Sequence, residues 1–258
     1  MPPLSRSHVV SALRSAGCVF AEDEAELIMS TARTRDEAAR MVDRRIAGLP
    51  LEHVLGWAEF HGLRIAMEPG VFVPRRRTEF LVEQALAVSS GARLVVDLCC
   101  GSGAVGAALA AGLDRPELHA ADIDPAAVRC ARRNVAAYGG RVHEGDLFAA
   151  LPDELRGRVD VLTANVPYVP TDEVALLPSE ARDHEPLTAL DGGFDGLEVL
   201  RRVTAGASAW LAPGGRLLVE TSERQVPSAI EAFTHGGLGV RLAVSEELYA
   251  NVLIGTRR

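Results

Sequence analysis

From Arg93 to the carboxyl end the sequence alternates short apolar runs with stretches of helical periodicity, and few folds accommodate that pattern. Strand candidates are 93–98, 117–123, 141–146, 159–165, 215–221, 240–245 and 251–256, with helices expected over 103–112, 125–137, 195–210 and 223–235. Strands separated by helices predict an α/β domain, a doubly wound and mostly parallel seven-stranded sheet. The last two candidates are joined by a segment too short for a crossover helix, so one of that pair is expected to run antiparallel. Open sheets of this kind bind ligands beyond the carboxyl ends of their strands, so the residues closing each strand are the ones to read for chemistry.

Ahead of this region the pattern differs. Residues 5 to 48 read as helices, with Val9, Val10 and Leu13 at helical spacing before Gly17, and Ala25, Leu27, Ile28 and Met29 continuing. Thr34-Arg35-Asp36-Glu37 predicts a capping box opening a third helix. Leu63, Ile65 and Met67 alternate with Arg64, Ala66 and Glu68, which predicts a short hairpin, and Thr78 is expected to cap the helix after it. The expected organisation is a helical unit over 1–50, a hairpin linker over 51–75 and a sheet domain over 76–258.

Composition narrows the function classes. A net charge of −8 and a pI near 5.4 argue against a duplex nucleic-acid partner, whose binding rests on neutralising phosphates. Four cysteines (Cys18, Cys99, Cys100, Cys130) fit neither a disulfide framework nor a zinc spacing, and no metal site is expected. No apolar run approaches the ~18 residues of a membrane span, and the amino end lacks a signal core, so the expected location is a reducing cytoplasm. The chain has no lysine, which removes Schiff-base chemistry and a P-loop lysine.

The strand-end residues are distinctive. Val95-Val96-Asp97-Leu98-Cys99-Cys100-Gly101-Ser102-Gly103 runs from a strand into a glycine turn, and Gly101 to Gly106 matches the GxGxxG pattern of dinucleotide sites. Asp97 disfavours a pyrophosphate there and suits the ammonium of a methionine moiety. Gly101 and Gly103 let backbone approach a cofactor closely. Asp122 ends the next strand, placed for ribose hydroxyls, with Ile123 beside it, while Asp124 is read as a helix cap. Asp146 ends the third strand, where it suits an adenine amino group, with Leu147 or Phe148 to cover the ring. Three acids at successive strand ends favour a phosphate-free adenosine cofactor, S-adenosyl-L-methionine, over NAD. Cys99 and Cys100 are read as small apolar fillers.

Asn165-Val166-Pro167-Tyr168 follows the run Val159 to Ala164. An amide or aryl-amine nitrogen is a poor nucleophile because its lone pair is delocalised. The Asn165 side-chain oxygen and the Val166 carbonyl can accept its two N–H bonds, aiming the lone pair at a methyl donor, while Tyr168 stacks on the planar group. The expected reaction is N-methyl transfer.

With these residues assembled, the chain resembles the release-factor glutamine N(5)-methyltransferases of the HemK type. Leu55-Gly56, Phe60, Gly62-Leu63, Val73-Pro74-Arg75 and Thr78-Glu79 are similar to that family's linker and its PRPxTE stretch. Glu185-Pro186-Leu187-Thr188-Ala189-Leu190, Gly192-Gly193 and Asp195-Gly196-Leu197 are similar to a segment distinctive of it. The resemblance implies a Rossmann-like class I methyltransferase domain, S-adenosyl-L-methionine as donor, and a glutamine amide in a peptide-chain release factor as acceptor. It further implies acceptor contacts at Asn165, Tyr168, Arg75 and Glu185, cofactor contacts including Cys99 and Asn165, substrate recognition by the helical unit, and action as a monomer.

Three departures stand out. Val166 replaces the first proline of the family's Asn-Pro-Pro-Tyr, Cys99-Cys100 replaces a Gly-Thr, and Arg76-Arg77 replaces a proline and an acid. They mark a divergent branch and leave other acceptors open: another protein or a small amine, or a nucleic-acid base. A dehydrogenase and a non-catalytic cofactor-binding regulator are further alternatives.

Overall fold

The computed structural model describes residues 5–258. Three helices come first: α1 (Arg6–Ser15), α2 (Ala21–Thr31) and α3 (Arg35–Ile46). Thr34 caps α3 as expected, its hydroxyl accepting from Glu37 N at 3.1 Å. The reciprocal bond differs, because Glu37 accepts from the Arg33 N–H, one residue before the cap, at 2.8 Å. Val9, Leu13, Ala25, Ile28, Met41 and Val42 form a core separate from that of the sheet.

Residues 51–55, expected within the hairpin linker, instead form α4 (Leu51–Leu55). Pro50 starts this turn and Gly56, with φ of 79°, ends it, so that Val54 and Leu55 join the helical core. The hairpin itself is β1 (Trp57–Phe60) paired with β2 (Leu63–Ala66). Thr78 does not cap the next helix, α5 (Glu79–Val88). It lies in a 3₁₀ turn over Arg76–Thr78 with helical φ and ψ, from which its hydroxyl cannot turn back to the helix amides.

The sheet region follows as β3 (Leu94–Leu98), α6 (Ala104–Gly112), β4 (Glu117–Asp122), α7 (Pro125–Val135), β5 (Arg141–Glu144) and β6 (Val159–Ala164). Two short helices, α8 (Ser179–His184) and α9 (Leu187–Leu190), then precede α10 (Glu198–Trp210), β7 (Leu211–Thr221), α11 (Val226–His235), β8 (Leu238–Ser245) and β9 (Ala250–Arg257). The strand order is β5-β4-β3-β6-β7-β9-β8. The first five are parallel, and β9 runs antiparallel to both β7 and β8.

Alternation along the strands builds two cores. Val95, Val161, Leu218 and Ile254 face the layer containing α5 and α6, whereas Val96, Leu162, Val219 and Leu253 face the layer containing α10 and α11. Each such side chain, fully buried, contributes about 1.5–3 kcal/mol. The strand order reverses between β3 and β6, which opens a crevice above their carboxyl ends. Between β6 and α10 the chain makes a long excursion carrying α8 and α9. Its base is closed by Val169 N donating to Leu190 O at 3.1 Å and Gly192 N to Val169 O at 2.8 Å. Arg45 of α3, 8 % exposed, pairs with Glu24 at 2.7 Å and with Glu180 of α8 at 2.6 Å, tying the helical unit to this excursion. No helix of the described residues is long and apolar enough to cross a membrane.

Candidate active site

A cavity of about 810 Å³ lies above the carboxyl ends of β3, β4 and β6. It runs from the glycine turn after β3, past Asn165 and Tyr168, to Phe72, Arg75, Leu177 and Glu185. One end is lined by acids and the other by aromatic and aliphatic groups with paired arginines.

At the acid end, Asp97 is 1 % exposed. Its Oδ1 accepts from Thr163 Oγ1 at 2.9 Å and its Oδ2 from Gly106 N at 3.0 Å. Burial outweighs these bonds and pushes the carboxyl up to about 7. Asp122 accepts from Gly101 N at 2.8 Å and from Asp124 N at 2.9 Å, which pins the glycine turn to the end of β4. Burial raises its carboxyl as well. Asp124 caps α7 as expected, accepting from Ala126 N at 2.7 Å. Asp146 pairs with Arg202 of α10 at 2.5 Å. Ile123, 55 % exposed, and Leu147 also line the cavity.

The acids converge on Cys99. Burial pushes its thiol up, and the charges of Asp122, Asp97 and Asp146 push it further, so it is held as the neutral thiol. Cys99 also adopts a φ of 53°, left-handed backbone that costs an L-residue on the order of 1 kcal/mol. Leu147 does the same with φ of 50°, so two strained residues flank the acid end. Gly103 has φ of 78° where α6 starts, and a Cβ there would stand 3.0 Å from that of Ala131. That glycine permits α6 to pack on α7.

Phe148 requires a correction. Of the two residues expected to cover an adenine, only Leu147 faces the cavity. Phe148 turns into the layer of α10, stacking on Trp210 with ring centroids 5.6 Å apart over the bare backbone of Gly206. The burial gained against Trp210 outweighs placement at a wet cavity edge.

At the other end, the Asn165 Oδ1 is buried and has no hydrogen-bond partner among the described residues. Buried polar atoms are normally paired, so an unpaired amide oxygen at a cavity wall is a place prepared for a donor. Tyr168 lines the same wall, and burial pushes its hydroxyl up to about 12. Val166 is buried and Pro167 follows it. A Cβ on Gly192 would meet the Pro167 carbonyl, and one on Gly196 would meet the Tyr168 carbonyl. The glycines of the excursion therefore let two backbones touch behind Asn165-Val166-Pro167-Tyr168.

Arg75 donates to Glu185 at 2.5 Å, and Glu185 also accepts from Val73 N at 3.1 Å. With its side chain 1 % exposed, Glu185 anchors the 73–75 segment rather than facing the cavity as a free acceptor. The arginine run is thus largely neutralised, since Arg77 pairs with Glu220 at 2.9 Å. Sequence reading misses Gln225, Asn134 and Glu220. Gln225 Nε2 donates to the carbonyls of Tyr168 at 2.9 Å and Asp195 at 3.0 Å. Asn134 Nδ2 donates to Ser102 O at 2.8 Å, fastening the glycine turn. Each acts on a partner 30 or more residues away in sequence, so no local pattern announces it.

A seven-stranded sheet of this order, with an acid-lined turn after its first strand, has the architecture of a class I methyltransferase. The family model "Methyltransferase small domain" matches residues 62–177. The release factor glutamine methyltransferase of Geobacter sulfurreducens is 39 % identical over 199 residues, covering 76 % of this chain and 69 % of the relative. The 4-amino-L-phenylalanine/4-methylamino-L-phenylalanine methyltransferase of Streptomyces pristinaespiralis is 38 % identical over 203 residues, covering 76 % and 69 %. Among solved structures, the ribosomal protein L11 methylase of Lactobacillus delbrueckii subsp. bulgaricus shares the fold, with a TM-score of 0.55 at 17 % identity over 75 % of this chain and 85 % of that one. The chain belongs to the release factor glutamine methyltransferase family, and its methyl donor is S-adenosyl-L-methionine. The acid end fits that donor: three carboxylates around a neutral thiol, with Gly101 leaving open space, suit an ammonium and ribose hydroxyls and disfavour a phosphate.

Proposed function

We propose that this enzyme methylates the side-chain amide nitrogen of a protein glutamine, with a peptide-chain release factor as acceptor. The observation that carries this reading is the unpartnered, buried Asn165 Oδ1 on the cavity wall shared with the acid-lined turn. Bound S-adenosyl-L-methionine supplies an electrophilic methyl group. Asp97 would hold its ammonium, Asp122 and Ile123 its ribose side, and Asp146 and Leu147 its adenine side, with Cys99 and Gly101 at the floor; Gly103, expected to contact the cofactor, instead packs against Ala131 outside the cavity lining.

Asn165 Oδ1 accepts one N–H of the acceptor amide and the Val166 carbonyl accepts the other. With both protons held on the protein side, the nitrogen presents its remaining face to the donor, and the two oxygens stabilise the positive charge that develops there. Transfer would form the C–N bond as the donor's S–CH3 bond breaks, with S-adenosylhomocysteine leaving as the neutral thioether, and the nitrogen would give its surplus proton to solvent water. Tyr168 stacks on the planar amide. The helical unit formed by α1 to α4, the hairpin of β1 and β2, and the domain over 76–258 divide recognition from chemistry, and the enzyme acts as a monomer in the cytoplasm.

A second reading takes an aryl amine as acceptor, supported by the 38 % identical relative whose name specifies 4-amino-L-phenylalanine. Its nitrogen is likewise planar and poorly nucleophilic. The two are separated by incubating the enzyme and donor in parallel with full-length release factor and with 4-amino-L-phenylalanine. Methyl gain on the glutamine of the release factor supports the first reading. Gain only on the free amino acid replaces it with the second.

A further inference from the structure

Tyr168 is held by groups far from it in sequence. Its carbonyl accepts from Gln225 Nε2 at 2.9 Å, and its hydroxyl accepts from an Nη2 of Arg77. The Arg77 guanidinium carbon stands 5.5 Å from the ring centroid. Arg77 also donates from Nε to Glu220 Oε1 at 2.9 Å.

Glu220 is the foundation of this arrangement. Its side chain is 3 % exposed, and among the described residues its Oε2 has no hydrogen-bond partner and Arg77 is its one counter-charge. Withdrawing the cation from a buried carboxylate is strongly unfavourable, so Arg77 is fixed from beneath. Glu220 lies one residue beyond the last cross-strand pair of β6 and β7, Ala164 with Val219, which sets it beside Asn165.

Between Asn165 and Tyr168, Val166 is the position whose own φ no ring restrains. Pro167 biases Val166 towards an extended conformation, but valine has no ring to lock its own φ and it retains an N–H. An aromatic platform at the end of such a segment needs a hold on its side chain.

We propose that Arg77, seated on Glu220, is a positioning residue for the acceptor clamp: it fixes the Tyr168 ring on which the acceptor stacks and supplies rigidity that Val166 does not. Positions 77 and 166, two of the departures from the family pattern, are thereby coupled. This rests on the clamp reading above. It also makes Arg77 unavailable as a free cation for an anionic acceptor.

The test needs no acceptor. Fluorotyrosine labels the three tyrosines of the chain, and Tyr168→Phe assigns the Tyr168 line in the fluorine NMR spectrum of protein saturated with S-adenosylhomocysteine. Arg77→Gln is expected to move that line towards the position of Tyr249, which is 89 % exposed. Glu220→Gln is expected to move it the same way by less, and Val166→Pro combined with Arg77→Gln to return it most of the way. Melting curves and S-adenosylhomocysteine calorimetry check folding. Should Arg77→Gln not fold, Arg77→Lys keeps a charge on Glu220 while losing the two-point reach and is expected to move the line alone. With full-length release factor, Arg77→Gln is expected to lower kcat roughly tenfold with little change in KM. Failure of the unaltered enzyme to methylate release factor counts against the proposed acceptor, and the fluorine line still decides this inference. A Tyr168 line unmoved by the Arg77 change, or moved equally with and without Val166→Pro, overturns it.

Discussion

Asp97→Asn removes the charge of a fully buried carboxyl at the acid end of the cavity. The carboxylate is 1 % exposed and its folded-state pKa is about 7, against 3.8 for the ordinary group, with burial as the main cause and the charge of Asp122 adding to it. The folded state therefore binds this proton more tightly than the unfolded chain does. Its contribution to stability is full below about pH 4 and is lost as the pH rises through about 7. A difference of about three units at ~1.4 kcal/mol each gives a loss on the order of 4 kcal/mol. Asparagine keeps both contacts, its oxygen accepting from Gly106 N and its amide donating to the Thr163 hydroxyl, and it removes only the charge. Urea unfolding of the cofactor-free protein and the variant, from about pH 4 to about pH 8, measures the difference directly. The variant is expected to gain on the wild type across that interval by up to the full amount. Saturating S-adenosyl-L-methionine is expected to narrow the gap, since its ammonium favours the carboxylate. A stability difference that stays flat with pH would show that the Asp97 charge is not what burial penalises.

Two further substitutions probe the ends of the cavity. Asp122→Ala removes the partner of Gly101 N and Asp124 N, and is expected to weaken S-adenosylhomocysteine binding by roughly tenfold or more in calorimetry, with each lost bond worth about 1 kcal/mol of stability. Gly196→Ala places a Cβ against the Tyr168 carbonyl and Gln225 at a φ of 73°; thermal unfolding is expected to show a loss of about 2 kcal/mol. Methyl transfer in that variant should fall more than cofactor binding, because the strain sits behind the clamp. Unchanged stability would remove the role given to that glycine.

Much of the sheet is legible in the sequence. Leu94–Leu98 and Val159–Ala164 are buried on both faces and read as near-continuous apolar runs, and the short link before Ala250 announces the antiparallel strand. The strand-end acids are legible because ligand position in such sheets follows from topology. What escapes is decided by contacts without local period. Thr78 carries a capping residue type, yet its helical backbone denies it that role. Phe148 follows the predicted adenine wall but finds Trp210, 62 positions on, a better neighbour. Leu51–Leu55 is too short for a helical repeat to show and is stabilised by the core it joins. Arg75-Arg76-Arg77 stands in the sequence as three consecutive cations, and only the fold brings Glu185 and Glu220, distant in sequence, to pair with two of them.

In the function proposed above, Asn165 orients the acceptor nitrogen and contributes little to holding the donor. This role is tested most directly by measuring, on one preparation of Asn165→Ala, both S-adenosylhomocysteine affinity by calorimetry and the rate of methyl transfer to full-length release factor. The affinity is expected to stay within about threefold of the unaltered enzyme while turnover falls roughly a hundredfold or more, the size of effect seen when one preorganised charge-stabilising group is lost. Turnover preserved at the wild-type level, or lost only in proportion to cofactor affinity, would contradict it.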